Sequence, residues 1–272
     1  MSSVGPIGVS PVGPISLLCV LAVDNAPVAG DAVKNRRKSE LWILVAVVLA
    51  SGCGRYFPTA LQPSPEQVAG TSVNDEGSIT FTLDRLAITL KPMSDAELNR
   101  MASPSGDASL NPYTFGESTA LGEDWTPPRF TVFRVQVANY QYPKVQLNPA
   151  KAHITAANGR AYDSMSFAQL YEYYQAHWQG RTGLGRVKFR ERTDMLKRTL
   201  FTGNIIFSGS DEEGYLVFPL LDDDVRQIRV DIEDVAVRFN FVEEPVETVD
   251  LRFSFQRGVR RGFTPADAVQ EN

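Results

Sequence analysis

Apolar and polar positions alternate with period two along much of the chain, and that pattern predicts strands. Ile79, Phe81 and Leu83 alternate with Thr80 and Thr82; after Asp84-Arg85 the phase slips and Leu86, Ile88 and Leu90 take over, as a bulge or bend requires. In RFTVFRVQVAN, Phe133, Val135 and Val137 share a face, and AHITA at 152–156 reads as a short strand followed by the turn NGRAY, which leads to Tyr162. Further on, Leu216 and Phe218 precede Pro219, and Ile228, Val230 and Ile232 alternate with Arg229, Asp231 and Glu233. Val235, Val237, Phe239 and Phe241 continue the pattern, and Val249, Leu251, Phe253 and Phe255 alternate with Asp250, Arg252, Ser254 and Gln256. Strands with one apolar and one polar face, joined by short turns, pack as an antiparallel sandwich rather than a parallel sheet. The predicted fold is mainly β, an antiparallel β-sandwich over residues 78–256.

Two segments break the alternation. Ser94 and Glu97 in SDAE form a capping box for a short helix, and a Ser/Pro/Gly-rich loop follows over 102–128. In SFAQLYEYYQAHW, Phe167, Leu170, Tyr171, Tyr174 and Trp178 recur at three and four, with Ser166 and Gln169 as a second capping box. After GRTGLG a second helix places Phe189, Leu196 and Leu200 on one face. A helical hairpin over about 163–202 is therefore expected as an insertion in the β domain.

The N-terminal region follows another logic. Residues 41–50 hold no polar side chain, yet ten positions are about half of what a helix needs to cross a bilayer. Lys34, Arg36, Arg37 and Lys38 stand before the run; Ala50, Ser51 and Gly52 follow it, then Cys53. Small residues let a chain lie extended in a peptidase cleft, and the thiol after them can be alkylated by a lipid donor. The stretch resembles a bacterial lipoprotein signal, with Leu49-Ala50-Ser51-Gly52-Cys53 in the place of the lipobox. The resemblance implies cleavage before Cys53, acylation of its sulfur, including a palmitate-type chain, and a lipid-anchored place in the cell envelope. Gly54, where retention at the inner membrane often involves Asp, leans toward the outer membrane, facing the periplasm or the cell surface. Residues 1–32, rich in Gly, Pro and Val and without an aromatic residue, are expected to be a spurious leader, with translation starting near Val33. Cys19 has no basic cluster ahead of it. Residues 53–77 carry Pro, Ser and Gly without apolar period and are expected to be a flexible tether; 257–272 are expected to be a disordered tail.

Charge narrows the function classes. The whole chain has 27 basic and 32 acidic side chains, and four and three of these precede Cys53, so the processed chain carries net −6. That is the wrong balance for a general nucleic-acid binder. Cys53 would be the only cysteine left, which rules out an intramolecular disulfide and a cysteine metal site.

The segments VFRVQVAN, VQLNPAKAHITAANGRAY and GYLVFP resemble the immunoglobulin-like domain found in bacterial surface lipoproteins of unknown function. Asn139, Leu147, Pro149, Gly159, Tyr162, Gly214 and Phe218 occupy its motif positions, over roughly 130–256. The resemblance implies an immunoglobulin-like sandwich outside the cytoplasm and transfers no catalytic residue; the helical insertion departs from it.

Candidate chemistry is sparse. His153 sits on a strand and His177 beside the aromatic stripe, neither with a neighbour at metal-ligand spacing, so both read as structural and no metal or cofactor is expected. FSGSDEEG is not a nucleophile elbow, and GRTGLGRVK fails the phosphate-loop and dinucleotide patterns. The runs Asp211-Glu212-Glu213 and Asp222-Asp223-Asp224 read as solvated turns, with an envelope hydrolase using them as the alternative. The most informative feature is electrostatic: Arg181, Arg186, Lys188, Arg190, Arg192, Lys197 and Arg198 stand against Glu191 and Asp194. With Tyr171, Tyr174 and Trp178 they form a candidate contact surface for an envelope protein, an anionic lipid or a cell-wall polymer. The competing reading is a solvated helix face that balances the acidic sheet. Carbohydrate binding by exposed Tyr171, Tyr173 and Trp178 is a third option. The expectation is a non-catalytic binding or scaffolding protein.

Overall fold

The computed structural model describes residues 55–102, 110–116, 125–178 and 184–262, all within the unit Cys53–Asn272. The signal segment and Cys53 lie outside the described residues. In chain order the first strands are β1 (Arg55–Pro58), β2 (Gln62–Pro63), β3 (Thr71–Val73), β4 (Ile79–Leu83), β5 (Leu86–Pro92) and β6 (Thr131–Asn139), with helix α1 (Asp95–Ala102) before β6. Then follow β7 (Lys144–Gln146), β8 (Ala152–Ala156), β9 (Ala161–Asp163), helices α2 (Phe167–Trp178) and α3 (Leu184–Thr199), and β10 (Ile205–Phe207). The last are β11 (Ser210–Phe218), β12 (Gln227–Phe239), β13 (Pro245–Gln256) and β14 (Val259–Gly262).

Two antiparallel sheets face each other, as the alternation predicts. One has the order β11-β6-β5-β4-β3; the other runs β10-β7-β12-β13-β2, with β8 on β12 beside β7 and β9 on β8. Ile79, Ile88, Leu90, Phe133, Val135 and Val137 of the first sheet meet Val145, Ile154, Val230, Ile232, Phe253 and Phe255 of the second in one buried cluster. Phe133 packs against Phe218 and Phe255 at its centre, with ring centroids 5.9 and 5.3 Å away. The phase slip after Leu83 is a chain reversal rather than a bulge: Leu83 pairs with Leu86, and Asp84 turns the chain at φ 52°.

Apolar side chains also cover part of the first sheet's outer face. Residues 215–218 are all buried, a continuous run that needs cover on both sides. Leu216 and Phe218 point into the sandwich, while Tyr215 and Val217, with Val132 of β6, meet Leu98 of α1, Leu170 and Tyr174 of α2, and Leu196 of α3 in a second cluster. The expected helical hairpin is therefore a third layer over the β6–β11 edge of the sandwich.

Three expectations are corrected. The tether expected over 53–77 is, from Arg55 onward, part of the fold: β1 pairs with β14, β2 with β13, and β3 with β4. Gln67 Nε2 further donates to the carbonyl of Ser254 at 2.7 Å. Strands of two to four residues are too short to show a period, and the partners of β1 and β2 lie about two hundred residues away, so nothing local signals them. The tail expected over 257–272 likewise begins with β14; residues 263–272 lie outside the described residues. Phe241, expected on a core face, is 96% exposed. A register shift between Ile232 and Val235, with Asp234 at φ 53°, and two further shifts up to Phe239 break the alternation. Asn240 Oδ1 then accepts from the amides of Val242 and Glu244 and turns the chain away.

Candidate functional site

The basic aromatic hairpin is the first place to look for a contact surface. Its start is the capping box expected from sequence: Ser166 N–H donates to Gln169 Oε1 at 2.8 Å, and Gln169 N–H to Ser166 Oγ at 3.3 Å. From there the helical period aims Leu170 and Tyr174 inward, and Tyr174 is only 1% exposed. Its hydroxyl donates to the carbonyl of Pro112 and accepts from Arg129 Nη1 at 2.7 Å. The Arg129 guanidinium lies 4.0 Å from the Phe115 ring centroid, and that of Arg192 lies 5.8 Å from the Tyr174 ring. Burial pushes the Tyr174 hydroxyl above the usual phenol range, and Arg129 opposes it.

The structure therefore divides the predicted contact residues. Tyr174 and Arg192, 8% exposed, are interior and are not contact residues. Tyr171 is half-buried, edge-on to Phe189 at 5.3 Å, while Tyr173 is 40% exposed and edge-on to Phe130 at 5.2 Å. Lys188 is half-buried, while Arg190, Lys197 and Arg198 are exposed. Lys197 sits 5.8 Å from the Phe167 ring, and Arg198 Nε donates to the carbonyl of Asp194 at 3.2 Å. Arg186 and Trp178 lie on α3 and α2, and Arg181 falls outside the described residues. With Glu191 and Asp194 also exposed, the solvent face of α3 from Val187 onward carries three cations against two anions. Among the described side chains, helical geometry interleaves the signs and takes Arg192 inside.

Asp211-Glu212-Glu213, expected in a turn, lies on β11, and three carboxylates of the two acidic runs have partners. Arg160 bridges Asp222 at 3.0 Å and Asp224 at 2.6 Å, and the Tyr162 hydroxyl donates to Asp222 Oδ2 at 2.7 Å. Glu212 accepts from Thr202 Oγ1 at 2.9 Å. His153 faces Asp231 across the β8–β12 pair, its Nε2 3.8 Å from both Asp231 and Glu233, while Asp231 is held by Arg229 at 2.7 Å and Arg252 at 3.0 Å. This is a cross-strand charge ladder. Among the described residues no three His, Cys, Asp or Glu side chains group so as to hold a metal ion.

One carboxylate pair went unnoticed in the sequence because its peculiarity is burial. Asp95 and Glu97, in the first turn of α1, line a cleft of about 820 Å³ together with Lys91 and Glu76. Burial pushes Asp95 up to about 6, against the pull of Arg129. Burial acts to raise Glu97 as well, but hydrogen bonds from Lys91 Nζ at 2.9 Å and from the Ser94 amide and hydroxyl at 3.0 and 2.8 Å outweigh it and hold the carboxyl at about 2. Two carboxyls pushed apart can serve as an acid–base pair. Here the ionised member is committed to the helix cap and to Lys91, and at about 2 it is a poor base.

Asp95 carries a stability prediction instead. A carboxyl raised from 3.8 to about 6 on folding favours the folded state fully below 3.8 and loses that contribution as pH rises through 6. Asp95→Asn is expected to leave stability unchanged at pH 4 and to raise it at pH 8 by on the order of 1 kcal/mol, discounted for partial exposure. Urea unfolding at the two pH values measures this; an equal effect at both would show that Asp95 does not change its affinity for a proton on folding.

A second surface also escaped the sequence. Ile205 and Phe207 on the edge strand β10, and Phe241, Val242 and Val246 around the β12–β13 turn, are all exposed, Phe207 at 60%. The two groups meet through Lys144, which pairs with Phe207 across β7–β10, forms an ion pair with Glu243 and lies 4.7 Å from the Phe239 ring. Comparison of the chain with family models, with curated proteins and with solved structures finds no match.

Proposed function

We propose that this chain is a lipid-anchored protein of the cell envelope whose sandwich binds or scaffolds a partner without catalysing a reaction. The observation that carries the reading is the order of basic cluster, apolar run, small residues and Cys53, with the first strand beginning two residues later at Arg55. Three acyl chains at Cys53 would hold the protein stably, since each buried methylene contributes about 0.8 kcal/mol and a single chain is marginal. Gly54 leans toward the outer membrane.

The immunoglobulin-like resemblance supports a scaffold, because its motif residues do structural work. Leu147 and Phe218 are in the core, Asn139 and Gly214 serve chain crossings, and Gly159 turns at φ 85°. Pro149 opens a single helical turn capped by Asn148, and Tyr162 ties Asp222. Asp222, Asp224 and Glu212 of the acidic runs are engaged by Arg160, Tyr162 and Thr202, which favours binding over hydrolysis. With Tyr174 and Arg192 interior, the apolar end at Phe207, Phe241 and Val242 becomes the stronger contact surface, which suits a protein partner.

Fractionation of cells expressing the full chain tests the anchor. The wild type is expected in the membrane fraction with a diacylglyceryl mass on Cys53, and Cys53→Ser is expected to leave the precursor uncleaved and unacylated. A wild-type protein found in the cytosol with a free Cys53 thiol would overturn the reading.

A further inference from the structure

Where the helical layer meets the edge of the sandwich, the fold leaves a cavity of about 630 Å³ over the C-terminal half of β11. We propose that this cavity binds a long-chain carboxylate, its alkyl chain inside and its headgroup on Lys197; nothing in the proposal depends on the anchor at Cys53.

Chain connections make the cavity. β11 is the last strand of its sheet, and its free edge is bonded at two points: Phe201 N–H donates to the Tyr215 carbonyl at 3.0 Å, and Met165 N–H to the Val217 carbonyl at 2.7 Å. The first of these segments leaves the C-terminus of α3 and the second enters the N-terminus of α2. Both helices are therefore moored to the same short stretch of strand, and the space between their ends and β11 stays open. Its volume falls within the range of about 300–1,000 Å³ usual for small-molecule sites. Met165, Phe167 and Leu200 line it and are only half-buried, so the walls are apolar surface that an alkyl chain can cover.

Polar groups select the ligand. Most of those on the lining are committed within the protein: Ser164 Oγ donates to the Pro149 carbonyl, Ser166 Oγ to Gln169 Oε1, and Thr202 Oγ1 to Glu212. No acidic side chain lines the cavity, and Lys197 is the one charged residue that does. It is exposed in the last turn of α3, with its ammonium 5.8 Å from the Phe167 ring, and no carboxylate pairs with it among the described residues. Gln169 spends its Oε1 on the helix cap, which leaves its Nε2 as a second donor. An apolar cavity with one uncommitted cation at its side suits a single chain with a single anionic head. A sugar would find too few polar partners on these walls, and a cationic amphiphile would meet Lys197.

The test is titration calorimetry on delipidated protein of residues 53–272 with Cys53→Ser, which holds every described element. Dodecanoate is expected to bind one to one, and dodecan-1-ol about tenfold more weakly. Decanoate is expected to bind on the order of tenfold more weakly than dodecanoate, from up to about fourfold per methylene. Lys197→Met keeps the apolar stem at an exposed position; it is expected to weaken dodecanoate about tenfold and to leave dodecan-1-ol unchanged. Arg190→Met, an exposed cation of α3 away from the cavity, is expected to change neither. No binding of dodecanoate, equal binding of acid and alcohol, or equal losses on Lys197→Met and Arg190→Met would each overturn the proposal.

Discussion

Gly214→Ala is expected to destabilise the protein by about 3 kcal/mol or more, although glycine to alanine within a strand ordinarily stabilises by roughly 0.5–1 kcal/mol. The reversed sign has a geometric cause. A Cβ at 214 would stand 2.6 Å from both the backbone nitrogen and Cα of Phe201, and 3.0 Å from the carbonyl carbon of Leu200. Backbone cannot rotate aside as the end of a flexible side chain can. The crossing matters because it is where the chain leaving α3 docks: Phe201 N–H donates to the Tyr215 carbonyl at 3.0 Å, and Leu200 and Tyr215 form an isolated parallel bridge. Pushing the strands apart breaks that bond and lifts Leu196 and Leu200 from Tyr215 and Val217. Against a total stability of about 5–15 kcal/mol, a loss of this size is a large share. A urea midpoint lowered with unchanged slope is the expected record; a variant as stable as the wild type would show that the close approach is not maintained in solution.

Asn139→Ala is expected to cost about 3–4 kcal/mol, out of proportion to the three heavy atoms removed. Asn139 is fully buried at the end of β6. Its Nδ2 donates to the carbonyls of Tyr142 at 2.8 Å and Ile206 at 3.0 Å, and its Oδ1 accepts from the amides of Tyr142 at 3.0 Å and Gln141 at 3.3 Å. One amide thus folds the β6–β7 turn and ties it to β10 of the other sheet. Alanine leaves the buried Ile206 carbonyl and the part-buried groups of the turn without their partner, which costs more than making the bonds contributes. Asn139→Asp distinguishes hydrogen bonding from shape: it keeps the acceptor but turns the two donations into carbonyl–carboxylate repulsion. It is therefore expected to be worse at pH 7 than at pH 4. Thermal unfolding of both variants measures the effect; an alanine variant within 1 kcal/mol of wild type would mean that water replaces the amide and the turn is not pinned by it.

These two positions show how far the sequence could be read. Asn139 and Gly214 stood out as motif positions, yet their jobs, a crossing between sheets and a contact between backbones, require knowing which strands are neighbours. The two capping boxes at Ser94 and Ser166 were fully legible, since all their partners lie within three residues. The contact surface was not. Spacing put Tyr174 and Arg192 in an aromatic, basic region, but whether a helix turns that face to solvent or to a sheet depends on Tyr215 and Val217, which mark an outer apolar face only once Leu216 and Phe218 are known to point inward.

By itself, the sequence determined the class of fold and the position of the helical hairpin, because period and local order are properties of neighbours along the chain. Tertiary structure alone decided that residues 55–77 belong to the domain, that Tyr174 of the hairpin packs against the sheet, and that Phe207 and Phe241 are exposed. Each of these depends on pairing or packing between segments far apart in sequence, where a strand of three residues has no local signature.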